Sequence, residues 1–157
     1  RELYVKGYTG ERLGDLIVQM EREDPPMQQT TLDSSCWNKT GLGPSIAETM
    51  IRRGARWTPA DRNRIAGKIE VHRRLACDDH GNARVRFFST CNNTIRTLPT
   101  LPISKTNPED VDTKAEDHAY DALRYMMMSR TLMNVHSPHR MTKHTQQYEP
   151  QDQVFGY

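Results

Sequence analysis

Apolar residues recur along this chain at two spacings, and proline, glycine and asparagine mark where each run stops. Glu2 to Lys6 place Tyr4 and Val5 between polar ends ahead of Gly7, which predicts a strand entering a turn. From Thr9, a predicted N-cap, Leu13, Leu16, Ile17 and Met20 follow at helical spacing until Pro25-Pro26 forbids continuation. Gln29 to Asp33 reads as a second strand ending on a carboxylate. The Gly41-Leu42-Gly43 loop then leads to Pro44, predicted in the first turn of a helix carrying Ile46, Met50 and Ile51 on one side and closed by Gly54.

Residues 55–58 read as a brief strand before a helix starting at Asp61. That helix has Ile65, Ile69 and Leu75 on one face and Arg62, Arg64, Lys68, Arg73 and Arg74 on the others. Asp78 to Asn82 is a turn, Arg84-Val85-Arg86-Phe87 alternates like a half-buried strand, and Asn92 and Asn93 cap a short helix through Ile95 and Leu98. Pro99 and Pro102 end it. A polar loop from Ser104 to Thr113 enters the best-formed helix, about 115–133, with Ala119, Leu123, Met126 and Met127 as its buried stripe. Strands thus alternate with helices, the pattern of an α/β layer fold, and nothing repeats.

Composition changes that picture at one end. Over 157 residues the hydrophobic share is 35%, low beside the roughly 45–50% that globular domains reach with glycine included. Residues 134–157 hold three of the six histidines and few aliphatics. They predict a polar, disordered tail following a structured region of 1–133, because such a segment buries too little surface to offset its own ordering. Lys and Arg number 22 against 20 Asp and Glu, a formal charge of +2. That balance excludes a basic arm binding nucleic acid by bulk charge, and leaves such contact to local clusters. No apolar run is long enough for a membrane span and no signal-peptide pattern opens the chain. Cys36, Cys77 and Cys91 are widely spaced and without a C-x-x-C knuckle, as reduced cytosolic thiols would be. The opening residues read as strand interior, so the expectation is a fragment whose own start lies upstream.

Candidate chemistry gathers on the last helix. At about 100° per residue, Asp121 lies roughly 40° from Asp117 and 60° from His118, so the three share one arc. Carboxylate oxygens there suit Mg²⁺ or Mn²⁺, and an imidazole at i, i+3 coordinates or orients water. The ordinary alternative is a first helical turn of acids favoured by the macrodipole and paired with Arg124. Asp33 adds weight, since carboxylates at the carboxyl ends of strands are where open sheets place ligands; its own ordinary alternative is an Asx-turn holding Ser34 and Ser35. Arg52, Arg53, Arg56, Arg62, Arg64, Lys68, Arg73 and Arg74 make the middle basic, mostly as solvated helix faces; those sharing a surface would meet phosphates.

The segment EDHAYDALRY, 116–125, resembles the last catalytic motif of the large terminase subunit of tailed bacteriophages. In the same order, YVKG (4–7), LDSSCWN (32–38, against the family's A-D-P-S-x-W), GPSIAE (43–48), residues 60–67 and NTIRTLPTLP (93–102) are similar to further family segments. The resemblance implies an RNase H-like nuclease domain, a mixed sheet flanked by helices whose N-terminal strands are missing from this chain. It implies Asp33 as the second catalytic carboxylate, Asp121 as the third, His118 as an assisting histidine and Asp117 as a further helper to two Mg²⁺ or Mn²⁺ ions. The family's first catalytic Asp lies on a strand ahead of residue 1. Leu32 and Ser34 depart from the family's Ala and Pro.

The activity implied by the resemblance is that of a metal-dependent endonuclease cutting double-stranded viral DNA at packaging initiation and termination. Arg62, Arg64 and Lys68 would contact DNA, and the fragment alone would cut weakly or not at all. Implied partners are the small terminase subunit, the portal or procapsid and an upstream ATPase domain, in the cytoplasm of the infected bacterium; no G-x-x-x-x-G-K-[ST] loop occurs in this chain. Two other readings stand beside it: a non-catalytic DNA-gripping or protein-docking module of the packaging machine, and a resolvase-type nuclease outside packaging.

Overall fold

A computed structural model describes residues 1–25 and 30–130. The expected tail at 134–157, the end of the expected long helix and the start of the expected strand at Gln29 lie outside the described residues. Among these described residues five helices and two short strands follow one another: α1 (Gly10–Glu21), β1 (Thr31–Leu32), α2 (Ile46–Arg52), β2 (Thr58–Pro59), α3 (Arg64–Leu75), α4 (Asn92–Thr97) and α5 (His118–Ser129). This is a mixed α/β arrangement, as the alternation predicts. Among the described residues, no helix is long and apolar enough to cross a membrane.

The strands run parallel, Thr31 opposite Thr58 and Leu32 opposite Pro59. Thr58 N donates to Thr30 O at 3.1 Å and Ala60 N to Leu32 O at 2.9 Å. Pro59, which has no N–H, sits between these two donors, where the pairing asks for none. A 3-10 turn, Ser34–Trp37, follows β1 with Asp33 as its N-cap.

Capping sets the helix starts. Thr9 caps α1, as its sequence predicts. α2 starts on Ser45 rather than with Pro44 in its first turn, in a capping box: Glu48 N donates to Ser45 Oγ at 3.2 Å and Ser45 N to Glu48 Oε2 at 2.7 Å. α3 starts later than Asp61, because Asp61 accepts from Asn63 N in an Asx-turn and Asn63 in turn caps Ala66 N. Gly54, at φ 103°, closes α2 in a conformation that costs other residues strain.

The core lies between α3 and α5, where Val71, Val111, Tyr120, Leu123 and Met127 pack together under Val85, Phe87, Leu98 and Leu101. Each of the larger of these side chains contributes about 1.5–3 kcal/mol by leaving water. A second packing site joins α1 to α2, where Gly14 lets the helices close: a Cβ there would lie 3.1 Å from Arg53 Cβ and 3.2 Å from Met50 Cα. Two expected faces are rotated and a third is widened. In α3 Gly67, Val71 and Arg74 are buried, while Ile69 and Leu75 face water. In α2 Ala47 and Met50 are buried and Ile46 and Ile51 exposed. In α5 Ala119, Leu123 and Met127 are buried as expected, Met126 is exposed, and Tyr120, Arg124 and Tyr125 join the buried set.

Two expected strands are not strands. Residues 2–6 are irregular chain held by side chains: Glu2 accepts from the backbone N–H groups of Asn93 and Thr94, each at 2.8 Å, and Tyr4 Oη donates to Glu116 at 2.8 Å. Residues 84–87 keep the expected alternation, with Val85 and Phe87 turned inward, but among the described residues they pair with no neighbouring strand. Between these two segments and α5 lies a groove of about 770 Å³, lined by Leu3, Val5, Val85, Phe87, Ala122 and Met126 among others.

Candidate functional site

β1 delivers Asp33 to its carboxyl end, and the following 3-10 turn fixes it. Asp33 Oδ1 accepts from Ser35 N at 2.8 Å, the Asx-turn weighed as its ordinary role. Its other oxygen looks elsewhere, accepting from Tyr125 Oη at 2.9 Å. Tyr125 stands one turn beyond Asp121 on α5, so the carboxylate after β1 and the acidic start of α5 meet on one side of the helix. Burial pushes the Asp33 carboxyl up, yet the bonds from Ser35 and Tyr125 outweigh it and hold the group below the usual range. Arg62 lies near enough to lower it further. Burial, then the bond to Asp33, pushes the Tyr125 phenol to about 12, so it stays a donor.

Asp121 sits in the first turn of α5 among cations. Its Oδ1 accepts from Arg124 Nε at 3.1 Å, with Arg124 Nη2 also 3.1 Å away. Arg64 Nη1 reaches its two oxygens at 3.2 and 3.3 Å. Arg124 is the most enclosed cation among the described residues, 1% exposed, stacked 4.4 Å over the Tyr125 ring and pressed against Gly67. The sequence weighs an Asp121–Arg124 pair on a solvated face; the pair forms, but Arg124 is buried.

Arg64 opens α3 and reaches a third acid. Its Nε donates to Asp110 Oδ2 at 2.7 Å, and its Nη2 lies 3.8 Å from Asp117 Oδ2. Asp117 is buried at the N-cap of α5, where burial and the neighbouring Asp121 charge raise its carboxyl pKa. Asp110 goes the other way: burial pushes it up, but the bonds from Arg64 and the Val111 N–H, with the charges of Arg64 and Arg124, together lower it. Asp110, Asp117 and Asp121 thus share one guanidinium.

His118 is exposed, its Nδ1 3.9 Å from Asp117 Oδ1, and it borders the groove beside residues 1–7. Neither Asp33 nor Asp121 lines that groove. Lys68 Nζ donates to Pro108 O at 3.3 Å, and Arg62 is exposed. Sequence reasoning places Asp33, Asp117, His118 and Asp121 among the candidates but misses Tyr125 and Asp110. Tyr125 carries a signal, four residues after Asp121; Asp110 sits in a loop with no periodicity to single it out.

Comparison with protein-family models, curated proteins and solved structures finds nothing that matches this chain.

Proposed function

We propose that this chain is part of a metal-dependent DNA endonuclease domain of the RNase H-like, phage terminase type, with Asp33 and Asp121 as two of its catalytic carboxylates. One observation carries the reading: the Tyr125 hydroxyl joins the acid at the end of β1 to the helix face that bears Asp121. The ordered sequence resemblance across residues 1–133 supports the same pair. In this reading the substrate is double-stranded viral DNA, and the partners are the packaging ATPase, the small subunit and the portal, inside the infected bacterium.

The donor set suits Mg²⁺ or Mn²⁺ in kind, because both groups offer hard carboxylate oxygens. Asp33 and Asp121 would hold the metal, which supplies activation of a water and stabilisation of the leaving oxygen. Asp33 accepts two protein hydrogen bonds and so keeps lone pairs for a further partner. Tyr125 and the Ser35 N–H aim it, while Arg124 fixes the rotamer of Asp121. Exposed Arg62, near Asp33, offers charge to a phosphate of the backbone. The resemblance implies one more carboxylate from a strand ahead of residue 1.

The non-catalytic reading, a DNA-gripping or docking module, draws on the saturation of Asp121 by two guanidiniums. Plasmid nicking separates the two. In the full-length protein, Mg²⁺- or Mn²⁺-dependent relaxation of supercoiled DNA is expected, and Asp33→Asn and Asp121→Asn abolish it. Full nicking by Asp121→Ala overturns the catalytic assignment.

A further inference from the structure

We infer that Arg64 is a built-in counter-cation that holds Asp121 closed and swings off it when a divalent cation binds there. This role rests on the nuclease reading and concerns how that site is controlled.

The acid cluster holds two guanidiniums, and they differ in how freely they can leave. Arg124 is 1% exposed, and its aliphatic stem lies where a Cβ on Gly67 would come within 2.6 Å. It is wedged. Arg64 keeps 27% of its side chain exposed and reaches the cluster from the first residue of α3. Its bonds are also unequal. The bond to Asp110 is 2.7 Å, the length of a good charge-assisted contact, whereas the two to Asp121 are 3.2 and 3.3 Å. The Arg64 Nη2 atom is buried and, among the described residues, has no hydrogen-bond partner. Pivoting about Asp110 therefore gives up the two long bonds to Asp121 and the 3.8 Å contact with Asp117.

The acids respond in the matching direction. With Arg64 turned away, Asp121 keeps, among the described residues, only Arg124, and buried Asp117 beside it loses the guanidinium 3.8 Å away. Two carboxylates in one turn then face each other with reduced compensation, which favours an incoming cation. Conversely, a cation at Asp121 repels the guanidinium. Arg64 and metal are alternative occupants of the same charge position, and each weakens the other.

The test is Mn²⁺ binding to the full chain, by calorimetry and by loss of the free-ion paramagnetic resonance signal, for wild type, Arg64→Gln and Arg64→Ala. The variants are expected to bind about tenfold more tightly, since the competing occupant no longer taxes the competent state. A second measurement needs no variant: the Arg64 Nε–H resonance of the wild type, followed during Mg²⁺ titration, shifts with saturation and stays still in Asp121→Asn. If Arg64 variants bind no tighter and the Nε–H resonance stays fixed while Asp121→Asn still abolishes binding, the counter-cation role is overturned and the nuclease reading stands. If no form binds Mn²⁺, or Asp121→Asn leaves binding unchanged, both are overturned.

Discussion

Tyr125 Oη donates to Asp33 Oδ2 across 92 residues of sequence, at 2.9 Å, and this one bond ties the end of β1 to α5. The same ring carries Arg124 on its face, and Arg124 holds Asp121. Asp33 and Asp121 are therefore positioned through a common pair of neighbouring residues on the helix.

Tyr125→Phe deletes the hydroxyl and keeps the ring. Stability is expected to fall by about 1.5–3 kcal/mol, the worth of a hydrogen bond to a charged group, read from urea denaturation. The Asp33 carboxyl pKa rises, because one of the bonds that lowers it is gone. Carboxyl carbon NMR titration of Asp33 measures that directly, and an unchanged value contradicts the positioning role.

Gly67→Ala weighs two effects of opposite sign. Alanine gains about 1 kcal/mol of helix propensity over glycine, but its Cβ lands 2.6 Å from both Cγ and Cδ of Arg124. The wedged stem must move, at about 1–3 kcal/mol for overpacking. A net loss of thermal stability is expected, with the Arg124 Nε resonance displaced; a raised melting temperature would contradict the wedge.

Acid weakens the N-terminal segment's attachment. Glu116, bonded to Arg96 and Tyr4, has its carboxyl lowered to about 2. Glu2 is lowered too: burial raises it, but the bonds from Thr94 and Asn93 prevail. Carboxyls depressed in the folded state stabilise it above their unfolded value of 4.5, and that contribution is lost as pH falls from there toward 2. The urea midpoint is expected to drop over that range, and less steeply in Glu116→Gln. Equal slopes in both proteins would remove this account of the attachment.

Asp117 has the opposite sign. Burial and the Asp121 charge raise its carboxyl pKa, so its ionisation opposes folding as pH climbs through the folded value. Asp117→Asn is expected to gain melting temperature relative to wild type between pH 4 and pH 7. A constant difference across that interval would show that the ionisation carries no such penalty.

How much of this was legible in the sequence depended on whether the signal was local. Thr9, the Gly54 stop and the Asp78–Asn82 turn are decided within a few residues, and they stand as read. Ser45-Ile46-Ala47-Glu48 also carries a local signature, a capping box, but Pro44 drew the helix start forward. Polarity misled in α3, where Arg64 and Arg74 belong on a wetted face by composition. They turn inward because partners far along the chain receive them: Arg64 meets Asp110, 46 residues away, and Arg74 Nη2 donates to Met127 O, 53 away, at 2.8 Å. Residues 2–6 contain β-favouring side chains, but a strand also needs a neighbour for its main chain, and side-chain anchors hold them instead. For Asp33, the Asx-turn and the strand-end placement turn out to be one geometry, since one oxygen serves each.

In the proposed function Asp33 and Asp121 hold the same cation, which a double-mutant cycle in Mn²⁺ affinity can establish or refute. Calorimetry on wild type, Asp33→Asn, Asp121→Asn and the double variant, each checked for native circular dichroism, gives the four values. Shared ligation predicts that either single change removes nearly all the affinity and that the second adds almost nothing. Independent, additive losses, or a single variant that binds like wild type, would contradict it.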